Sequence, residues 1–113
     1  MKIGELTPPP SDKCSFRLFS FKSVPKEAGC YILATFNNDI LYIGLSKNLF
    51  DRFQQHLRDS KKINLTNDGK AIWFYFMLYD ASNLPKLERT WLNQFSAHHG
   101  RHPILNKVDS PIG

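Results

Sequence analysis

Two short glycine–tyrosine segments constrain the fold of this chain most, because their spacing is typical of the two strands of one β-hairpin. The first is Gly29-Cys30-Tyr31 and the second is Tyr42-Ile43-Gly44. Between them, the mostly apolar runs 32–36 and 40–41 flank the polar segment Asn37-Asn38-Asp39, as in two strands joined by a tight turn. The sequence therefore predicts two tyrosines on neighbouring strands of one sheet.

The length of the turn decides whether the two tyrosines share a face. A turn of two or four residues pairs Tyr31 with Gly44 and Leu33 with Tyr42, whereas a three-residue turn puts the phenols on opposite faces. In the first register the tyrosines are diagonal neighbours across the strand pair. We expect that register, in which the absent side chain of Gly44 leaves room for a ligand beside Tyr31.

Composition limits the class of protein. The chain has 113 residues, 42% of them hydrophobic, and a net charge of +5, which fits one folded domain with a phosphate-bearing partner. The same charge would also serve solubility alone. Cys14 and Cys30 lack the spacing of a zinc site or a disulfide framework, which favours a reducing, intracellular location. No membrane partner is expected, because the sequence shows neither a membrane-spanning apolar run nor a signal peptide.

The chain divides into three predicted parts. Residues 1–13 are expected to be a proline-rich N-terminal extension, residues 14–107 one domain, and residues 108–113 a C-terminal tail. Residues 14–22 either form an edge strand or lie across the core. The nearly all-apolar run 71–79 predicts the most buried strand, central in the sheet and covered on both faces.

The first predicted helix brings two polar side chains together. It covers residues 49–58 and follows the candidate caps Ser46 and Asn48. Arg52 and His56 are one turn apart beside its apolar stripe, so they can address the same ligand.

A carboxylate stands within the apolar stripe of the second predicted helix, residues 84–99, which Gly100 ends. Glu88 is four residues after Leu84 and three before Trp91, where a charge is costly unless a cation or hydrogen bonds satisfy it. It is either a structural residue, paired with an arginine or reaching water, or a ligand for a divalent cation. A lone glutamate at helical spacing favours the structural role.

Other basic residues give weaker signals. The polar loop 59–70 is expected to expose Lys61 and Lys62. The segment His98-His99-Gly100-Arg101-His102 has no matching Cys or His partner for zinc elsewhere, and suits a helix C-terminus or the backbone of DNA better.

The motifs, taken in their order, resemble the GIY-YIG nuclease family. The two tyrosines of the signatures are eleven positions apart, and Arg52 follows the second by ten. His56 comes four residues later, as in many members. Leu87-Glu88-Arg89 is similar to the helix that bears the family's metal-binding glutamate, and Pro103-Ile104-Leu105-Asn106 to its closing segment. The resemblance spans about residues 24–107.

Two departures from the family pattern stand out. Cys30 occupies a position of the first signature where isoleucine or valine is common, on the face opposite the tyrosines. The further histidine that some members carry after the first helix is absent, because that region is Ile63-Asn64-Leu65.

The resemblance implies a small α/β (α+β) fold, with a three-stranded antiparallel sheet flanked by helices, and residues 14–107 as its nuclease domain. It implies a divalent-metal-dependent DNA endonuclease, with Mg²⁺ or Mn²⁺ held by Glu88. DNA is the expected partner, together with a separate specificity protein or a second copy of the chain. The alternatives are a catalytically inert nucleic-acid-binding module and a protein–protein adaptor on the same fold.

The resemblance also implies a role for each residue of the site. Tyr31 would position the attacking water, although a phenol of ordinary pKa is a poor base, and Tyr42 would bind the phosphate or orient water. Arg52 would pair with the scissile phosphate, and His56 would contact phosphate or move a proton. Asn106 would brace the metal-binding glutamate or the substrate. The residues expected to contact DNA are Lys47, Arg52, Lys61 and Lys62.

Overall fold

A four-stranded antiparallel sheet is the centre of the fold in the computed structural model, which describes residues 1–109 along the backbone and residues 1–106 with side chains. The strands lie in the order β1-β4-β2-β3. In chain order they are β1 (Asp12–Ser15), β2 (Gly29–Ala34), β3 (Ile40–Ser46) and β4 (Trp73–Leu78). The α-helices are α1 (Leu49–Leu57), α2 (Ser60–Ile63), α3 (Leu84–His99) and α4 (Ile104–Asp109).

The α+β class, with helices flanking an antiparallel sheet, is confirmed, but the sheet has four strands instead of the expected three. The additional strand is β1, which pairs with β4 at the sheet edge. Its apolar pattern is weak, because Cys14 is its one buried residue and Lys13 is exposed. Beyond β1 the chain leaves the sheet, and Leu18–Ser23 forms a 3-10 helix against α1.

The strand that is buried throughout is β2, not the strand after residue 70. Every residue of β2 is buried, whereas β4 alternates between buried and half-buried positions. Phe74 and Phe76 point into the core, while Trp73 and Tyr75 are half-buried. The expectation that β4 is covered on both faces is wrong, because α3 packs over β2 and β3.

The β2–β3 hairpin has the predicted register, although its turn is longer than expected. Tyr31 pairs with Gly44 and Leu33 with Tyr42, so the two tyrosines share a face. Five residues, 35–39, connect the strands, and Asn38 adopts a left-handed φ of 70° there. A β-bulge then shifts the register beside Leu33, which compensates for the odd number of connecting residues.

The two faces of the sheet carry separate hydrophobic clusters. Tyr31, Leu33 and Phe74 pack with α1 on one face. Cys30 and Ile32 pack with α3 on the other, so Cys30 does lie on the face opposite the tyrosines. Consecutive residues of β2 therefore pack against different helices, one on each face of the sheet.

The first residues of the chain pack on the α3 side of the sheet. Ile3 and Leu6 of the predicted extension are buried in that cluster. The indole Nε1 of Trp91, on α3, donates a hydrogen bond of 2.8 Å to the carbonyl of Pro8. Side-chain burial and this bond tie residues 1–8 to the body of the domain.

At the C-terminal end, α4 lies against β3. The predicted tail, residues 108–113, begins within the last turn of α4, and residues 110–113 lie outside the described residues. Within residues 1–109, we find no helix that is both long and apolar enough to cross a bilayer.

Candidate active site

Two tyrosines and a histidine form a cluster of rings on the α1 face of the sheet. The ring centroids of Tyr31 and Tyr42 are 5.9 Å apart, and the rings are nearly parallel at 26°. The imidazole of His56, from α1, is 5.4 Å from the Tyr31 ring and 5.1 Å from the Tyr42 ring. The structure therefore brings together three of the side chains that the sequence assigned to one site.

Tyr31 and His56 are the buried members of the cluster, and Tyr42 is half-buried. Burial raises the pKa of Tyr31 well above its usual value, and the neighbouring Tyr42 phenol adds to the effect, while Arg52 opposes it. Tyr31 consequently keeps its proton at neutral pH. A buried, protonated phenol is poorly suited to act as a base or to hold a solvent-derived water.

The two signature glycines are required by close packing. A Cβ on Gly44 would lie 2.6 Å from the Tyr31 hydroxyl oxygen and 2.8 Å from a ring carbon of Tyr42. A Cβ on Gly29 would lie 2.5 Å from the carbonyl oxygen of Met77 on β4. The space over Gly44 is thus filled by the phenol of Tyr31, which corrects the expectation that it is left for a ligand.

Helix α1 presents Arg52 and His56 to the tyrosines. Asn48 caps it, and the Asn48 side chain accepts a hydrogen bond of 3.1 Å from the amide of Asp51. Phe53, on the adjacent face of α1, anchors the helix in the core, where its ring meets that of Phe74 edge-on. Arg52 is half-buried, close enough to Tyr31 to influence its pKa.

Lys62 is buried, whereas Lys61 and Lys47 are exposed. The prediction that both lysines of the loop are exposed is therefore wrong for Lys62, whose residue surface is 2% accessible. Its ammonium lies 4.8 Å from the centroid of the Tyr42 ring and 3.4 Å from Oδ2 of Asp59. The cause is α2, a single turn capped by Asp59, which turns Lys62 inward.

The side chain of Asn106 pairs with the free edge of β3. Its Oδ1 accepts a hydrogen bond of 2.9 Å from the Ile43 amide, and its Nδ2 donates one of 2.8 Å to the Ile43 carbonyl. Ile43 lies between Tyr42 and Gly44, so α4 is fastened to the strand that carries the second signature. In these contacts Asn106 braces the backbone of β3.

Glu88 is half-buried on α3. Desolvation raises the pKa of its carboxyl, while Arg89 and His102 act in the opposite direction. The carboxylate also raises the pKa of Cys30, second to desolvation, which places Glu88 near the α3 side of β2. The tyrosine cluster and Arg52 thus lie on the α1 face of the sheet, and Asn106 lies at the edge of β3. Glu88 comes from α3, on the other face.

The described residues suit a metal held largely by water and substrate. Among residues 1–106, no group of three His, Cys, Asp or Glu side chains is arranged to hold an ion. Mg²⁺ commonly keeps several waters and binds through one or two carboxylates plus phosphate oxygens. A single partly desolvated carboxylate, Glu88, fits that donor set.

One feature of the site had little sequence signal. Lys62 lies within the predicted polar loop 59–70. The one local sign of a helix there is the spacing of Asp59, a candidate cap, and Ile63, an apolar residue one turn later. A one-turn helix is too short for periodicity to reveal which lysine points inward.

The fold is a small α+β domain with a cluster of rings on one face of its sheet. The chain belongs to the GIY-YIG family, since the family model described as "GIY-YIG catalytic domain" matches residues 27–101. This membership supports a nuclease function.

Similar proteins include two called UvrABC system protein C. The one from Mycoplasma genitalium is 30% identical over 76 residues, which cover 66% of this chain and 13% of the relative. The one from Mycoplasmoides gallisepticum is 30% identical over 83 residues, or 74% of this chain and 14% of the relative. The chain thus spans about a seventh or less of the length of these relatives.

Proposed function

We propose that this domain is a DNA endonuclease that hydrolyses phosphodiesters with the help of Mg²⁺ or Mn²⁺. The observation that carries the proposal is the cluster of Tyr31, Tyr42 and His56 beside Arg52, built within a GIY-YIG domain. Hydrolysis of a phosphodiester needs a placed water, stabilisation of negative charge on the phosphate, and help for the leaving oxygen.

Arg52 and the half-buried phenol of Tyr42 are the groups suited to meet the substrate. The guanidinium of Arg52 is a permanent cation with donors in a fork that matches phosphate oxygens. Tyr42 is less buried than Tyr31, so its hydroxyl is the phenol that can bind phosphate or orient a water. The Tyr31 hydroxyl hydrogen-bonds Nε2 of His56, which is also buried, and His56 would contact phosphate or move a proton.

Glu88 is the proposed ligand of the divalent ion. Its raised pKa reflects a carboxylate that lacks full hydration, and a cation would satisfy it. When bound, the metal would polarise a phosphate oxygen and stabilise the departing one. Asn106 keeps β3 in place between the two sides of the site.

DNA would extend from this site over exposed cations. Lys47 precedes α1 and Lys61 lies on α2, and both are exposed. We propose an intracellular role, in which a separate specificity protein or a second copy of the chain selects the target. The domain offers one set of reacting groups, so a second copy would also supply the groups that cut the other strand.

A cleavage panel tests the proposal. Supercoiled, linear, flapped and branched DNA are incubated with Mg²⁺ or Mn²⁺ and the wild-type domain, Glu88→Ala, or the matched control Glu27→Ala, whose side chain is exposed. We expect the wild type and the control to cut at least one substrate, EDTA to stop cleavage, and Glu88→Ala to lower the rate by about a hundredfold or more. Equal rates for wild type and Glu88→Ala on every substrate contradict it.

The same panel separates the inert-module alternative. Such a module binds DNA with an affinity that falls as salt rises, yet leaves every substrate intact with either metal. The net charge of +5 is compatible with both functions, so binding alone does not distinguish them.

A further inference from the structure

Lys62 is a cation buried inside the candidate site. Its residue surface is 2% accessible, although its neighbour Lys61 on the same helix is exposed. Taking an ammonium out of water carries a large penalty, and ordering a lysine side chain adds an entropic cost. A position that tolerates both costs beside reacting groups is a candidate for function.

The contacts of Lys62 point at one residue of the site. Its Nζ is 4.8 Å from the Tyr42 ring centroid, within the range of a cation–π interaction. On its other side, Asp59 accepts a hydrogen bond from it at 3.4 Å. Asp59 also caps α2 by accepting from the amide of Lys61 at 2.9 Å, so the carboxylate is itself fixed in place.

A buried ammonium at this place has a different effect from a surface lysine. It is too enclosed to be one of many mobile phosphate contacts along DNA. Phenolate charge is shared between oxygen and ring, so a cation near the ring stabilises the charged phenol more than the neutral one. The same cation also restricts the ring's position.

We propose that Lys62 is a positioning residue, whose ammonium holds the Tyr42 ring and favours negative charge on that phenol when water lies against it. The effect on catalysis rests on the proposed nuclease function, whereas the effect on Tyr42 does not. Lys62 thereby supplies a fixed cation after the first helix, near the region 63–65 where this chain lacks the further histidine of some family members.

Several charged or titratable groups surround Tyr42. Tyr31 faces it from β2, and His56 with Arg52 lies on α1. Lys62 and Asp59 approach from α2. The described part of α4 contributes the neutral Asn106, and Glu88 of α3 belongs to the helix on the other face of the sheet.

The direct test measures the Tyr42 phenol without DNA or metal. Tyrosine labelled with ¹³C at the ring is titrated by NMR, and Tyr42→Phe assigns the signal. In Lys62→Met, we expect the titration midpoint of Tyr42 to rise by about one pH unit. Lys62→Arg, which keeps the charge, and Lys61→Met, the exposed control, should leave it near the wild-type value.

An unchanged midpoint in folded Lys62→Met overturns the proposal. Should that variant not fold, Lys62→Gln replaces it under the same criterion. Asp59→Asn is a further probe, since it retains a capping group but removes the opposing charge. It should lower the midpoint, and an unchanged value there also counts against the role of Lys62.

Cleavage kinetics separate this proposal from the nuclease proposal. Lys62→Met should lower kcat by about tenfold with little change in KM, and move the alkaline limb of the pH–rate profile upward, while Lys62→Arg retains most activity. If the wild type cuts no DNA but the midpoint shifts, the nuclease function fails and the effect on Tyr42 stands. If the wild type cuts and Lys62→Met has the same profile, Lys62 has no positioning role.

Discussion

The Tyr31 hydroxyl and Nε2 of His56 are 2.6 Å apart, in a buried hydrogen bond that joins β2 to α1. Tyr31 is fully buried and stacks on Phe74 at 5.2 Å, so its position is set by the core. Because the phenol retains its proton, the hydrogen bond fixes the orientation of the imidazole without a transfer of the phenol proton to it. The first signature tyrosine is therefore a support for His56, and Tyr42 is the more exposed of the two phenols.

A double-mutant cycle measures this relationship. Tyr31→Phe and His56→Phe each remove one partner of a buried hydrogen bond, which should lower the free energy of unfolding by about 1–3 kcal/mol apiece. We expect the double variant to lose about 1 kcal/mol less than the two single losses together. Urea denaturation gives the values, with Tyr79→Phe, a 39% exposed residue, as the control. Strictly additive losses would mean that the bond contributes no coupling.

Gly44→Ala should damage the site from within the strand. The new methyl group would meet the Tyr31 ring end and hydroxyl at 2.6 Å, and both belong to a ring held by the core. We expect a loss of about 1–3 kcal/mol in unfolding free energy, as for overpacked cores, and displacement of both phenols. Gly4→Ala is the matched control, since a Cβ there meets no atom within 4 Å. A Gly44→Ala protein as stable as that control is the contrary outcome.

Glu88→Gln should stabilise the metal-free domain in a pH-dependent way. Desolvation raises the pKa of Glu88 in the folded state above the ordinary value of 4.5. As pH rises, the unfolded chain therefore loses this proton first, and the free energy of unfolding falls until the pH passes the folded pKa. A glutamine has no proton to lose and avoids this decrease in stability. Chemical denaturation should find Glu88→Gln more stable than wild type at pH 7, with the difference shrinking towards pH 4. A constant difference across that range would contradict a desolvated carboxylate.

Asn106→Ala should loosen β3 at the second signature. It removes both hydrogen bonds to Ile43 and leaves that strand edge without them, at a cost of about 1–3 kcal/mol. Hydrogen exchange at the Ile43 amide is the sharper measurement, and its protection should fall. Asn64→Ala, at an exposed position, serves as the comparison. Unaltered protection at Ile43 would show that α4 does not fasten the strand.

Leu6→Ala tests whether the segment before residue 14 belongs to the folded unit. Leu6 is 2% exposed, so its truncation should cost about 2–5 kcal/mol, as in other buried leucine sites. Leu18→Ala, at a residue 68% exposed, should change stability by less than about 0.5 kcal/mol. Thermal unfolding compares the two. Similar small effects would indicate that residues 1–13 act as an extension.

The sequence predicted the hairpin register, the start and end of α3 and the face of Cys30, and it gave Asn48 as one of two candidate caps for α1. Each depends on contacts within about a turn of helix or across one turn of chain, where local pattern is informative. It offered an edge strand over residues 14–22 as one of two alternatives and did not locate β1, since a short edge strand with one buried residue has almost no apolar pattern. Nor did it reveal the burial of Lys62. Which side of a one-turn helix faces inward depends on the space between that helix, α1 and Tyr42, and residues remote in sequence define that space.

The amino-acid sequence by itself determined the ordered set of candidate site residues and most of the strands and helices that carry them, because spacing fixes which residues share a face. Only the tertiary structure decided how far each one is buried and what it contacts. The core buries Tyr31 and leaves Tyr42 half-buried, a bulge rather than the turn length aligns the two, and α2 turns Lys62 inward. Burial and distance between remote segments set protonation and access, and no local pattern encodes them.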